Sequence, residues 1–215
     1  MAKKESIFVF GAHSDDFVIG AGGTIAKYVQ EKKKVISVVF SYGAKANPWL
    51  KEKVAEEMRS AECFKASKLL GCKTIFYDLK DFNFQEDYQK KKLEPQLLTL
   101  IKKHQPTKIF THSNQDPHPD HRAVHHITLE LLKKIKYKPE VYIYSIWNPV
   151  SFRIKYPSLI EDISQTFTKK IKALELFSSQ RFQAIYPLSL LIFFRAIKNG
   201  LKIRKRFGEK FYRIQ

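Results

Sequence analysis

Two short clusters of histidine and carboxylate could do chemistry in this chain. The first, His13, Asp15 and Asp16, stands in "FGAHSDDFVIGAGGTIA" (Phe10 to Ala26). Adjacent carboxylates repel one another and are costly to bury, so their pairing asks for a positive partner. The second, His118, Asp120 and His121, stands in "FTHSNQDPHPDHRAVHH" (Phe110 to His126). Two histidines and one carboxylate are a familiar donor set for a catalytic zinc with an open fourth position. A divalent cation would neutralise one aspartate of the Asp15–Asp16 pair while the other works beside it. Spacing alone does not distinguish His118 from His121 as a ligand.

Such clusters need elements that bring them together. Short β-branched and aromatic runs predict strands over Ser6 to Phe10, Val35 to Phe40, Thr74 to Tyr77, Lys108 to His112 and Glu140 to Ser145. Between them, Leu50, Val54, Met58, Ala61 and Phe64 recur at helical spacing, with Gly71 placed as a C-terminal stop. Val124, Ile127, Leu131 and Ile135 repeat the pattern, as do Ile163, Phe167, Ile171 and Leu174. Strands alternating with helices predict an α/β fold, Rossmann-like, with a mainly parallel sheet covered by helices on both faces. Both clusters then stand just beyond the carboxyl ends of strands, where such sheets bind ligands. Residues 42–50 and 79–94 read as long loops. No second-domain boundary is visible, so residues 1–215 are expected to form a single domain with a basic segment over 195–215.

Other readings of the first cluster are weaker. Gly20, Gly22 and Gly23 open a helix, but not at G-x-G-x-x-G spacing, and two aspartates would face a pyrophosphate there. A capping aspartate and a satisfied histidine would explain one cluster, but not two after two strands. Net charge is +18, from 39 Lys and Arg against 21 Asp and Glu, and such a field favours anionic partners without choosing among them. A non-catalytic nucleic-acid-binding module is the rival from another class. It lacks a helix-turn-helix, zinc-finger or aromatic-rich basic motif and leaves both acidic clusters unexplained, so no nucleic acid is expected. Cys63 and Cys72 read as free thiols in a reducing compartment. The apolar run Ala184 to Phe194 is too short to span a bilayer and ends at Arg195. Together with an N-terminus read as lacking a cleavable apolar segment, this leads to the expectation of a soluble, cytoplasmic protein.

The two motifs resemble those of the PIG-L/LmbE family of zinc-dependent N-acetylglucosaminyl deacetylases. "AHSDD" is similar to the family's A-H-P-D-D, and "HPDH" to its second motif. "RSAECFKASKLLG" (Arg59 to Gly71), the late helix ending in Ser179-Gln180 and the closing "FGEKF" (Phe207 to Phe211) extend the similarity over most of the chain. Ser14 replaces the usual proline and Phe17 a frequent glutamate; neither touches a proposed ligand or base. The resemblance implies zinc, or another divalent metal such as Fe2+, on His13, Asp16 and His121. It implies Asp15 as general base and His118, held by Asp120, beside the oxyanion or the leaving amine. His112, His125 and His126 fall outside the motif: His112 reads as strand-end structure or site lining, the other two as helix-face residues. The implied substrate is an N-acetylated amino sugar, small or lipid-linked. A zinc amidohydrolase acting on a non-sugar amide is the alternative on the same fold. Arg59 is a candidate substrate contact, with an Arg59–Glu62 pair along the helix as the competing reading. The segment 195–215 carries eight Lys or Arg and one acidic residue, Glu209. Beside the Leu188–Phe194 run, it could rest on an anionic membrane or form a core helix with a solvated outer face.

Overall fold

Alternation along the first strand sets the layers. In β1 (Ser6–Gly11), Ile7 and Val9 point into one buried core, while Phe8 and Phe10 point into another on the opposite face. The structure, a computed structural model, describes residues 4–46, 49–147 and 156–215. After β1 come α1 (Asp16–Gln30), β2 (Lys34–Val39), α2 (Glu52–Leu70), β3 (Lys73–Phe76), α3 (Phe84–Lys90) and α4 (Leu93–His104). Then follow β4 (Lys108–His112), α5 (Pro119–Lys133), β5 (Glu140–Tyr144), β6 (Ser158–Asp162), α6 (Phe167–Glu175), α7 (Tyr186–Lys202) and β7 (Gly208–Arg213).

The seven strands form one sheet in the order β3-β2-β1-β4-β5-β7-β6. Strands β1 to β5 pair in parallel, and β7 runs antiparallel to both β5 and β6. The chain builds outward from β1 through β2 and β3, then returns to the other side of β1 as β4. The switch point therefore lies between β1 and β4, where open α/β sheets present a crevice at their carboxyl ends. Both acidic-histidine clusters leave these two strands.

The five predicted strands form, with ends shifted by one residue at most, within the usual uncertainty of where a strand stops. Strands β6 and β7 are not among those that composition predicts. Residues 79–94 are not simply a loop either, since α3 occupies 84–90. The predicted apolar face of α2 is not its buried face: Val54 is 49% and Phe64 52% exposed. The helix instead turns Ala55, Arg59, Glu62, Cys63, Ala66 and Leu70 inward. It is rotated because two of its polar side chains belong to the interior, which hydropathy periodicity cannot register. Gly71 does end it, in the left-handed conformation at φ 87°.

The closing "FGEKF" segment supplies a buried ion pair. Glu209 on β7 accepts hydrogen bonds from the Gly23 and Thr24 N–H groups in α1, at 3.0 and 2.7 Å. Lys170 Nζ on α6 lies 2.7 Å from the same carboxylate and donates to the Ile19 carbonyl. Removing one partner of a buried pair strands the other charge, at a cost of about 3–5 kcal/mol. Lys170→Met is accordingly expected to lower unfolding free energy by about that amount, read from urea midpoints at constant m-value. A loss below about 1 kcal/mol would mean that water reaches Glu209.

Candidate metal and active site

The first cluster is held by the entry into α1. Past the end of β1, the chain turns through His13 and Ser14, and Asp15 occupies the N-cap position. The His13 N–H donates to Asp16 Oδ2 at 2.7 Å, closing the turn. Both aspartates thus stand at the positive end of a helix, which favours carboxylates. The helix can lie close to the sheet because Gly20 has no Cβ; one there would overlap the Tyr144 ring. Phe17, the departure in the motif, is fully buried in the core on that side.

The second cluster opens α5. His118 is the N-cap and Pro119 the first helical residue. His118 Nδ1 accepts from the Asp120 N–H at 3.2 Å, which leaves the imidazole proton on Nε2. Asp116 fixes the loop: its Oδ1 accepts from the His118 N–H and lies 3.0 Å from His121 Nδ1, and its Oδ2 accepts from the Trp147 N–H. A carboxylate on one imidazole nitrogen directs the other toward a ligand position. His121 Nε2 is 3.4 Å from Asp16 Oδ1.

The two clusters meet. One donor atom from each of His13, Asp16 and His121 lies within 4.8 Å of the others, and the same holds for His13, His118 and Asp120. The second group has fewer donors to spare. Both Asp120 oxygens accept from the Phe82 N–H at 3.0 Å, and Oδ2 is also 3.2 Å from His13 Nε2. Asp120 reaches His118 through its backbone N–H, which donates to Nδ1, whereas its carboxylate is 3.9 Å from that atom.

Electrostatics mark the first group as a site for positive charge. Burial alone would lower the His13 pKa, but hydrogen bonds to Asp120 and Asp16, with the charges of Asp16 and Asp81, raise it to about 10. His121 rises to about 9 in the same way, through Asp16 and Asp116. The carboxylates thus draw protons onto two buried imidazoles. A divalent cation meets the same demand and takes the imidazoles as neutral donors, so the residues present fit a metal. Asp16 is held well below the ordinary carboxylate range, since His121 and His112 outweigh its burial. Asp15 goes the other way: burial raises it, Arg59 opposes, and the charge of Asp16 adds to the rise. The adjacent pair is thus split, with proton affinity raised on Asp15 and lowered on Asp16.

His13, Asp15, Asp16, His118 and His121 line a cavity of about 160 Å³, together with Asp81, Phe82, Trp147 and Gln183. Arg59 is buried on its wall. Its Nε donates to the Tyr42 carbonyl and its Nη2 lies 3.4 Å from Asp15 Oδ1, while Nη1 has no hydrogen-bond partner among the described residues. Glu62 pairs elsewhere, with the Ser178 and Ser179 hydroxyls, both at 2.6 Å. The Arg59–Glu62 helix pair does not form. Gly43, at φ 74°, makes room for the guanidinium; a Cβ there would sit 2.6 Å from Nη2.

Several site residues lie outside the two motifs. His112 is at the centre, accepting from the Ala12 N–H at 2.9 Å, 3.3 Å from Asp16 Oδ2 and stacked on His121. His125 is buried behind it, its Nδ1 2.9 Å from the His112 carbonyl, whereas His126 is exposed on the helix. Asp116 carries a local signal, a carboxylate before Pro-His in a turn. Asp81 and Phe82 stand in no motif, but in the segment 79–94 read as a long loop, the kind that often lines a site.

The comparisons with known proteins agree with this fold. A family model described as "PIG-L: GlcNAc-PI de-N-acetylase" matches residues 8–132, more than half of the chain. A 4-oxalmesaconate hydratase of Pseudomonas putida is 26% identical over 224 residues, covering 95% of this chain and 83% of its own. The crystal structure of GalB, the 4-carboxy-2-hydroxymuconate hydratase of P. putida, superposes with a TM-score of 0.85 at 23% identity, over 98% of this chain and 96% of that one. N,N'-diacetylchitobiose deacetylase of Pyrococcus horikoshii superposes with a TM-score of 0.80 at 24% identity, over 98% and 84%. At such identities the two superpositions show a shared fold.

Proposed function

Because the chain belongs to the PIG-L family, we propose that it is a metal-dependent hydrolase that removes the acetyl group from an N-acetylglucosamine-type conjugate. The observation that carries this reading is one cavity wall holding Asp15, raised above the ordinary carboxylate range, beside the donor group His13, Asp16 and His121. In this reading residues 1–215 act as one deacetylase-like domain in the cytoplasm, and Cys63 and Cys72 are free thiols there.

His13, Asp16 and His121 would hold a divalent ion, zinc or Fe2+, which supplies Lewis-acid polarisation of the amide carbonyl and lowers the pKa of a water toward ~7. Asp15 accepts a proton from the attacking water as its oxygen bonds to the acetyl carbon. His118 donates a hydrogen bond from Nε2 to the developing oxyanion. It acts as a neutral donor: burial lowers its pKa, and the Asp120 N–H occupies Nδ1. Return of the proton to the departing nitrogen therefore falls to Asp15 as the C–N bond breaks, releasing acetate and an amine. Asp116 and Asp120 orient His121 and His118. The open Nη1 of Arg59 donates to a sugar hydroxyl or an anionic aglycone oxygen, since a buried guanidinium nitrogen without a partner is costly. A free and a lipid-linked sugar both suit this chemistry, because the reacting groups Asp15 and His118 act only on the acetamide end.

A second reading has a specific support, the likeness to a hydratase over 95% of the chain. The same base and water would then add across a double bond of an unsaturated acid. One assay separates the two. Metal-reconstituted protein is offered N-acetylglucosamine, diacetylchitobiose and inositol- or lipid-linked conjugates, with amine and acetate measured, beside an unsaturated oxo-dicarboxylate followed by loss of absorbance. Stoichiometric amine and acetate are expected. Hydration without amine release from any conjugate would replace the deacetylase reading; an acetamide outside the sugars as sole substrate would retain the chemistry and change the substrate class.

A further inference from the structure

Helix α7 is apolar on two faces, and only one of them is covered. Leu188, Ile192, Ala196 and Gly200 are buried toward the core. On the outer side, Tyr186, Leu190, Phe193, Phe194, Ile197 and Leu201 form a stripe at helical spacing, which Phe182 extends backward through the preceding π-helical turn. Phe182 is 77%, Leu190 83% and Leu201 69% exposed. A contiguous apolar surface of this kind marks an interaction site.

The surroundings say what covers it. No acidic residue occurs between Phe182 and Gly208, while Lys198, Lys202, Arg204, Lys205 and Arg206 flank or follow the stripe and are exposed. Beside Phe194 opens a second cavity, of about 270 Å³, lined by Lys198, Lys202 and Lys210 together with Glu209, whose charge the buried Lys170 already pairs. A second copy of the chain is a poor partner, because the contact would bring together two chains of net charge +18 and leave the cations around the stripe without a counter-charge. An anionic bilayer complements both features: acyl chains meet the stripe and phosphates meet the lysines.

We propose that the outer face of α7 docks this protein on an anionic phospholipid surface, with the lysine-lined cavity receiving lipid phosphates. The helix lies in the plane of the interface. The run Ser178–Lys202 is 25 residues and apolar enough to cross a membrane by length and composition, but crossing would strip its inner face from the core. It would also pull Arg195 from the Ser145 and Ile146 carbonyls, to which Nη1 donates at 3.0 and 3.1 Å. The stripe begins at the rim of the candidate active site, since Gln183 and Ala184 line that cavity and Phe182 starts the stripe. A site so placed opens beside the bilayer, as a lipid-linked amino sugar would require. The docking itself does not depend on the deacetylase reading, because its readout is vesicle binding.

The test uses the full chain and vesicles of phosphatidylcholine with phosphatidylglycerol in roughly a 7:3 ratio, against phosphatidylcholine alone. Co-sedimentation with the mixed vesicles, weakened by salt, is expected. Leu190→Glu with Phe194→Glu, and separately Lys198→Glu with Lys202→Glu, should each weaken it by about tenfold or more while far-UV dichroism stays unchanged. The control is Lys65→Glu with Lys68→Glu on the exposed side of α2, which makes the same charge change and should lose much less. An equal loss in the control would reduce the attraction to bulk charge and overturn the proposal. So would absence of binding by the unmodified chain, or a solution dimer that Leu190→Glu dissociates.

Discussion

Asp15→Asn is expected to cut turnover by about 10²–10⁴-fold while leaving bound metal and fold intact. The two aspartates differ in environment, not in type. Asp16 faces His121 at 3.4 Å and His112 at 3.3 Å, so its charge is fixed. Asp15 faces Arg59 at 3.4 Å in a buried wall, where desolvation raises its proton affinity. That makes Asp15 the group able to take a proton and return it. The amide in Asp15→Asn keeps the shape and can still accept from Arg59, but it cannot bind the proton; relief of repulsion beside Asp16 is set against the loss of a charge beside the buried Arg59, so the fold should hold with a lowered melting point. Amine-release kinetics, elemental analysis and a thermal melt on the same preparation decide the matter. Unchanged turnover would take Asp15 out of the mechanism, and loss of metal would make it a ligand.

His121→Ala is expected to abolish stoichiometric metal and with it measurable activity, because it removes one of three donors. Its counterpart is His118→Ala, which should keep the metal and lose part of the turnover. The pair is informative because two donor groups share His13. The proposed ligand is His121 because the Asp116 carboxylate lies 3.0 Å from its Nδ1 while Nε2 faces Asp16 at 3.4 Å. In the other group, the Asp120 carboxylate is already engaged by the Phe82 N–H and His13. If His118→Ala lost the metal and His121→Ala kept it, the ion would belong to His13, His118 and Asp120, and the proposed roles of the two imidazoles would exchange.

Much of this was legible in the sequence for a local reason. The ligand candidates stand within a few residues of β1 and β4, and a parallel sheet aligns strand ends whatever the rest of the chain does. Strand composition, the Gly71 stop and the order of motifs were therefore enough to bring His13, Asp15 and Asp16 to the same crevice as His118, Asp120 and His121.

Tertiary structure decided what depends on rotation and on distant pairing. Hydropathy put the wrong face of α2 inward, because the buried Arg59 and Glu62 are satisfied by Tyr42, Asp15, Ser178 and Ser179, which the helix cannot announce by itself. The antiparallel β6–β7 edge, the Lys170–Glu209 pair, the placement of Asp81 and Phe82, and the uncovered face of α7 are of the same kind. Residue types and short spacings define which groups can react. The choice between His118 and His121, and between a core helix and a docking helix, rests on contacts between segments far apart in the chain, where burial and charge are set by neighbours rather than by periodicity.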